Sequence, residues 1–285
     1  MRPVGAELLE AREILPGWWL ASWHVPTVVS GARAGQAVHV RTVEAGGLPL
    51  RRPYPIATAD AASGTLTIQV PGTGAAGAWI RSLRPGDRAE IAGPFGRPFE
   101  IDPRSRHLLL LAEGSAIASI RMLMDEAIRG GRSVVLLYGA PSAAGVYPSS
   151  LLPDEVEYVV ATVDGSLGRR GSVADLLGEY EGWADQAFAA GPPALLGDLA
   201  HQATGRRGRM GVATLGRKRG GGRQVQRGSA EARRKAWLQV ALGQVIGCAG
   251  GTCLGCTAEG VNGTVRVCRE GPVFAATELD WERVS

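Results

Sequence analysis

The sequence predicts a multi-domain protein with a small β-barrel, a doubly wound α/β domain with a parallel sheet, and a compact cysteine-rich domain at the end. Three observations support this fold class. Short strand-like segments separated by glycine turns fill the first third, apolar strands alternate with helical segments in the middle, and all four cysteines lie between positions 248 and 268. No apolar run approaches the roughly 20 residues of a membrane span, so we expect no membrane association.

Residues 1–102 have the pattern of a small closed sheet. Segments 18–25, 37–43, 65–70 and 88–92 combine partial alternation with β-branched and aromatic residues, and turns rich in glycine separate them. Several short strands at regular spacing are typical of a β-barrel.

Residues 103–204 have the pattern of a doubly wound α/β domain. Segment 108–112 is a continuous apolar run, which is typical of a parallel strand covered on both faces. The apolar spacing of residues 116–128 predicts a helix, and further strands are predicted over 133–138, 156–163 and 187–190. Any ligand is expected at the carboxyl ends of these strands.

Residues 205–235 are predicted to be a flexible basic insertion. Positions 206–235 carry eleven Lys and Arg against the single acid Glu231, so the net positive charge of the chain comes from this segment. Almost no apolar residues recur at regular spacing here, so the segment cannot bury enough surface to order itself. Nucleic-acid binding is conceivable. The absence of aromatic residues before Trp237 favours a solvated linker or a surface for an acidic partner.

The cysteines are spaced C-x4-C-x2-C-x11-C, with three on one loop and the fourth returning after a tight hairpin. Three cysteines on one loop and a fourth further along the chain are the ligand pattern of a [2Fe-2S] cluster. The loop can close over such a cluster only with unusual backbone angles, which glycine adopts without steric cost. We expect four glycines to provide them: Gly247, Gly250, Gly251 and Gly255. A structural zinc site and disulfides are the alternatives that the spacing leaves open.

Two motifs resemble a known family. Residues 265–274 read V-R-V-C-R-E-G-P-V-F, and the loop before them reads C-x4-C-L-G-C. Both are similar to the iron–sulfur electron-transfer subunit of NAD-linked dihydroorotate dehydrogenases, which belongs to the ferredoxin-reductase-like flavoproteins. The resemblance implies an FAD-binding barrel at 1–102, an NAD-binding-like α/β domain at 103–204, the insertion at 205–235 and a [2Fe-2S] domain at 236–285. The cluster ligands it implies are Cys248, Cys253, Cys256 and Cys268.

The resemblance also implies flavin contacts in two stretches of the barrel. Residues 50–56, L-R-R-P-Y-P-I, resemble the family motif R-R-P-x-S-I, whose arginine pairs with the flavin pyrophosphate. Residues 66–80 align with the segment whose arginine and Gly-Thr pair hold the dinucleotide, and an ordinary glycine-rich hairpin is the alternative there. The implied flavin residues are Arg52, Pro53, Tyr54, Pro55, Val70, Pro71, Gly72, Ala76 and Gly77. Four of them replace family residues: Pro55 the serine, Pro71 the arginine, and Ala76 and Gly77 the Gly-Thr pair.

The implied nicotinamide site departs further from the family. Relatives read A-G-G-x-G-x-A-P after the first strand of the α/β domain, whereas residues 112–119 here read A-E-G-S-A-I-A-S. Glu113, Ala116 and Ser119 replace two glycines and the proline. A carboxylate beside a helix N-terminus repels a pyrophosphate, so the sequence leaves NAD binding open.

The resemblance implies an electron-transfer subunit in a cytoplasmic hetero-oligomer. A catalytic flavoprotein, of the dihydroorotate dehydrogenase type in pyrimidine biosynthesis, would pass electrons through the cluster and FAD to NAD+. Residues 1–22 show no secretion signal, which agrees with a cytoplasmic location. Two alternatives remain: a non-enzymatic docking subunit that carries only the cluster, and a diaphorase-like subunit of a cytoplasmic hydrogenase.

Overall fold

The computed structural model describes residues 2–43, 49–207 and 230–284. The expectation for the centre of the basic insertion, residues 208–229, therefore lies outside the described residues. Among the described residues, none of the helices has the length and apolar character needed to cross a membrane.

The N-terminal region forms a closed six-stranded antiparallel barrel, as the sequence predicts. Leu8, Trp23 and Ile68 fill its interior and have no exposed surface, because alternate residues of each strand face inward. Two helices, α1 (Pro26–Val29) and α2 (Gly74–Ser82), interrupt the strands. The barrel order is β1-β2-β5-β4-β3-β6. The strands are β1 (Val4–Leu15), β2 (Trp18–His24), β3 (Ala37–Val43), β4 (Pro49–Asp60), β5 (Thr65–Pro71) and β6 (Arg88–Phe95).

A parallel sheet with helices follows the barrel. Its strands are β7 (His107–Glu113), β8 (Ser133–Ala140), β9 (Val156–Thr162), β10 (Arg169–Arg170), β11 (Gln186–Gly191) and β12 (Leu238–Leu242). Its helices are α3 (Ala118–Arg129), α4 (Leu177–Tyr180), α5 (Pro193–Arg207) and α6 (Ala230–Arg234), and a 3-10 turn at Gly114–Ile117 precedes α3. The order β10-β9-β8-β7-β11-β12 places β7 in the middle, with the chain running outward on both sides. The crevice at β7 and β11 is therefore the topological switch point, where such sheets bind ligands.

The C-terminal region consists of a cysteine loop, a hairpin, a short helix with the fourth cysteine, and a last strand that returns to the sheet. The hairpin strands are β13 (Thr257–Gly260) and β14 (Gly263–Arg266), followed by α7 (Val267–Glu270) and β15 (Val273–Ala275). β15 pairs antiparallel with β12, so the edge strand of the sheet runs against the other six. Because β12 and β15 both belong to the sheet, we propose that the cysteine domain comprises the residues between them, 243–272.

The described end of the basic insertion is ordered, which differs from the expectation of a flexible segment. α6 covers Ala230–Arg234, and Arg233 is only 5% exposed. The Nε2 of Gln186 donates hydrogen bonds to the carbonyl oxygens of Arg234 (3.0 Å) and Ala236 (3.1 Å). This buried amide ties the end of the insertion to β11.

Buried amides and a backbone bond also fix the barrel against the other two parts. The Glu100 N–H donates to Oε1 of Gln239 at 2.9 Å, and Nε2 of Gln239 donates back to the Glu100 carbonyl at 2.6 Å. The Arg97 N–H donates to the carbonyl of Gly271 at 2.6 Å, which brings the turn after β6 against the G-P-V-F tail. The barrel, the sheet and the cysteine domain are thus held in one arrangement.

Candidate cofactor sites

The four cysteine side chains form two pairs. The N–H of Cys253 donates to the sulfur of Cys248 at 3.5 Å, and the N–H of Cys268 donates to the sulfur of Cys256 at 3.4 Å. All four are free thiols, with Cys253 exposed and both Cys256 and Cys268 buried. The hairpin expected between the third and fourth cysteines is present as β13 and β14, and it brings Cys268 back to Cys256.

Backbone N–H groups turn toward the sulfur of Cys248. The N–H of Gly250 donates to Sγ at 3.4 Å and that of Cys253 at 3.5 Å. These bonds, led by that of Cys253 and joined by the Thr252 hydroxyl, lower the pKa of Cys248 to about 5. Burial and then the neighbouring Cys256 thiol raise the pKa of Cys268 to about 12. These effects favour the thiolate form of Cys248 and the protonated form of Cys268, and a bound cation would favour the thiolate of both.

The unusual backbone angles of the loop fall mainly on residues other than the expected glycines. Ala249 and Leu254 have φ values of 51° and 57°, and of the four glycines only Gly251 has a positive φ, of 77°. The expectation for Gly247, Gly250 and Gly255 is therefore wrong. Two of these glycines have another role: a methyl group added at Gly247 or at Gly255 would lie 3.7 Å from the Cys253 sulfur. They keep the space around that sulfur open.

This arrangement fits a two-iron cluster better than a single zinc ion. A structural zinc ion is held by four ligands around one centre. A [2Fe-2S] cluster is held through two irons that share four protein ligands, which matches two pairs of thiols. The open space at Cys253 and the N–H groups aimed at Cys248 suit the same group.

Arg266 braces the loop against the helix that carries the fourth cysteine. Its Nη1 donates to the carbonyl of Gly251 at 3.2 Å, and its Nη2 donates to Oε1 of Glu270 at 2.8 Å. The Glu270 carboxylate is nearly buried on α7. The two halves of the cysteine motif are therefore joined by a side chain as well as by the hairpin.

A cavity of about 590 Å³ lies where the barrel, the sheet and the cysteine domain meet. The barrel contributes residues 52–55 and Gln69, and the carboxyl edge of the sheet contributes Ser115, Ser119 and Gly191. Residues 243–245, which lead into the cysteine loop, form the third wall. The cavity thus opens on the switch point of the sheet.

The structure brings six of the nine implied flavin residues to this cavity. They are Arg52, Pro53, Tyr54, Pro55, Pro71 and Ala76. The other three lie behind its wall: Val70 is in the barrel core, Gly72 packs on Trp19, and Gly77 packs on Gly72. The alternative of a plain glycine-rich hairpin is wrong, because β5 is followed by α2, whose N-terminal residues line the cavity.

Gln69 is a cavity residue that the sequence reasoning missed. It is 6% exposed, and its amide oxygen is buried without a hydrogen-bond partner among the described residues. An unpaired buried acceptor costs about 1–3 kcal/mol, so this wall lacks a donor that a ligand can supply. A flavin ring, which is flat, largely apolar and carries an imide N–H, fits such a wall. The available signal was a glutamine between Ile68 and Val70 in an otherwise apolar part of β5.

Glu113 occupies the crevice where a dinucleotide diphosphate is expected. It is the last residue of β7 and precedes the helical turn at Gly114–Ile117. Methyl groups added at Gly139 and Gly191 would lie 3.5 and 3.7 Å from its side chain, so Glu113 sits between the ends of β8 and β11. Burial raises the pKa of Glu113. The carboxyl therefore makes this a poorer diphosphate site than the glycine of relatives.

We expect Gly77→Ala to destabilise the barrel and to lower its flavin content. A methyl group at Gly77 would overlap the Gly72 carbonyl and lie 2.7 Å from the carbonyl oxygen of Pro71. Such overpacking costs about 1–3 kcal/mol and displaces α2 from the cavity wall. Thermal unfolding and bound flavin should both fall, whereas Gly182→Ala, where no atom lies within 4 Å, should change neither. Equal unfolding temperatures and equal flavin content in the two variants would contradict the close packing of α2 on Gly72.

Comparison with known proteins agrees with this geometry. Residues 244–280 match a family model described as the iron-sulfur cluster binding domain of dihydroorotate dehydrogenase B. The dihydroorotate dehydrogenase B (NAD(+)) electron transfer subunit of Desulforamulus reducens is 26% identical over 284 residues, covering 97% of this chain and 98% of that protein. The subunit of the same name from Geobacillus thermodenitrificans is 28% identical and 86% of each chain is covered.

Solved structures show the same fold. An NADH-dependent reduced ferredoxin-NADP oxidoreductase, described in relation to flavin-based electron bifurcation, is 21% identical with a TM-score of 0.77, covering 97% of this chain and 90% of that one. A ferredoxin NADP+ reductase from Neisseria gonorrhoeae with bound FAD and NADP is 18% identical with a TM-score of 0.58, covering 75% and 94%. The resemblance and the fold class that the sequence predicts are both confirmed.

Proposed function

Because the chain is a homologue of the electron-transfer subunits of NAD-linked dihydroorotate dehydrogenases, we propose that it relays electrons from a catalytic flavoprotein to NAD+. The catalytic partner is the dihydroorotate-oxidising subunit of pyrimidine biosynthesis, and the two form a hetero-oligomer. The substrate itself does not touch this chain.

The observation that carries the proposal is the short connection between the two candidate cofactor sites. Residues 243–245 line the cavity, and Cys248 follows three residues later. When bound, a [2Fe-2S] cluster carries single electrons and FAD exchanges one or two, so together they link the partner to the two-electron acceptor NAD+. This chain holds both groups close together.

The residues of the chain bind and orient these groups. Cys248, Cys253, Cys256 and Cys268 are the cluster ligands that we propose. Arg52 offers a planar fork to the flavin diphosphate. Gln69 would accept a hydrogen bond from the ring, and Pro53, Tyr54 and Pro55 would cover the ring and exclude water.

The exposed face of the cysteine domain supports docking of the catalytic partner. Val245, just before the cysteine loop, is 81% exposed, and Leu254, within the loop, is 60% exposed. Apolar side chains that stand in solvent beside a redox group are typical of an interaction surface. Docking here places the partner next to Cys253, the exposed member of the ligand set.

We propose a cytoplasmic location for this complex. Cysteines that hold a cluster must stay out of disulfides, which reducing compartments favour. The homologous subunits come from bacteria.

The test is cofactor content and turnover of the anaerobically purified complex. We expect about two irons, two sulfides and one FAD per chain, and NAD+ reduction when dihydroorotate is supplied. If the complex contained iron but no flavin, the chain would instead be a docking subunit that carries only the cluster. Pro55 and Gly77 favour this alternative because both depart from the flavin motifs of the family. Zinc in place of iron would overturn electron transfer altogether.

A further inference from the structure

His39 joins the barrel to the segment that leads into the cysteine loop. It lies on β3 between Val38 and Val40, which belong to the barrel core, so its side chain points out of the barrel. Only 2% of His39 is exposed, and its Nε2 lies 3.0 Å from the carbonyl oxygen of Ile246. Because a carbonyl oxygen can only accept, Nε2 is the protonated nitrogen of the ring.

The ring of His39 is held in one orientation. It packs edge-on against Phe95 of β6, with ring centroids 4.9 Å apart. Burial lowers the pKa of His39, which keeps the imidazole neutral with its proton on Nε2. Packing and the hydrogen bond therefore fix the same ring from two sides.

The peptide that His39 holds connects the two proposed cofactor sites. On one side of Ile246, residues 243–245 line the flavin cavity, and on the other side Cys248 follows two residues later. Since the peptide unit is planar and trans, the Gly247 N–H points away from the carbonyl that faces His39. A methyl group added at Gly247 would lie 3.7 Å from the Cys253 sulfur, so this peptide also borders a proposed cluster ligand.

We propose that His39 is a positioning residue for electron transfer, which holds the Ile246 peptide and so fixes the cysteine loop relative to the flavin cavity. The inference rests on the proposed function. Electron transfer between two groups slows steeply with distance, and the potential of an iron–sulfur cluster depends on the groups packed around its sulfurs. Releasing the Ile246 carbonyl should therefore change both the transfer rate and the spectrum of the cluster.

The test compares three substitutions of His39 in the complete complex with its cofactors bound. His39→Gln keeps an N–H donor of similar reach, His39→Asn keeps a donor that is too short, and His39→Leu removes it. We measure iron and flavin content, the EPR spectrum and midpoint potential of the reduced cluster, and the rate of electron transfer from cluster to flavin by stopped flow. In His39→Leu and His39→Asn we expect a shifted EPR spectrum and a rate lowered by about tenfold or more, because the freed Ile246 peptide lets the cysteine loop shift relative to the flavin cavity. His39→Gln should stay within about threefold of the native rate, since it retains the hydrogen bond.

A second histidine provides the matched control. The Nδ1 of His24 lies 3.1 Å from the carbonyl oxygen of Ser63 at an exposed end of the barrel. His24→Leu should leave the EPR spectrum and the transfer rate unchanged. Native behaviour of His39→Leu, or equal behaviour of His39→Asn and His39→Gln, would overturn the role of His39. Should His39→Leu fail to fold, the comparison of Asn with Gln still decides, and a native complex without cluster or flavin would instead refute the proposed function.

Discussion

Cys253→Ser removes the native cluster while the barrel and the sheet remain folded; this is the largest effect that we expect from a single substitution. A serine oxygen is a far poorer ligand for iron than a thiolate, and Cys248 would lose its partner thiol. Because Cys253 is exposed, the change leaves no cavity in the core. Loss of an outer-shell partner alone lowers metal affinity by about 10–100-fold, so loss of a direct ligand should exceed that range. Loss of the cluster is measured by iron content, visible absorption and the EPR spectrum of the reduced protein.

Thr264→Ser is the control for this experiment. Thr264 lies on β14, in the hairpin that follows the cysteine loop, and its hydroxyl donates to Oε1 of Glu259 at 3.1 Å, a bond that serine can keep. The control should retain iron and spectrum, and bound FAD should be equal in both variants, since residues 248–268 do not line the cavity. A native cluster spectrum in Cys253→Ser would show that this thiol is not a ligand.

The cysteine domain could be predicted from the sequence because its chemistry is local. Four thiols at fixed spacing and the hairpin between the last two follow from short-range pattern, and the structure places the thiols in two adjacent pairs. The backbone angles could not be assigned in the same way. Ala249 and Leu254 carry positive φ values although alanine and leucine rarely adopt them, so the constraint comes from the closed loop as a whole.

In the barrel, short-range sequence patterns do not predict all of the strands. The sequence pattern misses β1 and β4, and β4 contains Pro53 and Pro55, which usually argue against a strand. Pro53 lies opposite His39 and Pro55 opposite Ala37 on β3, so tertiary closure of the barrel overrides local preference. The same closure brings Gln69 to the cavity and His39 to Ile246. Such contacts join residues that are distant in sequence, and short-range patterns do not contain them.

Glu113→Gly is expected to tighten the binding of NAD+ and NADH by about tenfold or more, since an unpaired charge beside an anionic ligand costs roughly 1.4 kcal/mol or more. Glu113 lies between the ends of β8 and β11, directly before the helical turn at Gly114–Ile117, and its carboxylate would repel a diphosphate there. The substitution restores the glycine that the family has at this position. Binding is measured by the concentration dependence of flavin reduction by NADH without oxygen.

The pH dependence distinguishes charge from shape. Burial raises the pKa of Glu113, so its carboxyl is neutral up to a higher pH than an ordinary glutamate. The diphosphate of NADH is anionic and prefers the neutral carboxyl. The affinity of the native complex should therefore rise as the pH falls through that pKa and decline as the carboxyl ionises. Glu113→Gln has nearly the same shape without the charge, and its affinity should be higher at neutral pH and free of this trend.

Glu282→Gln is the matched control, because it removes the same charge from an exposed position near the C-terminus. It should leave both the affinity for NADH and its pH dependence as in the native complex. If Glu113→Gln retained the native affinity and the native pH trend, the carboxyl would not face the diphosphate, and the dinucleotide would have to enter the crevice from another side. Tight binding by the native complex, with no gain in Glu113→Gly, would show that this site accepts NAD+ in spite of the carboxylate.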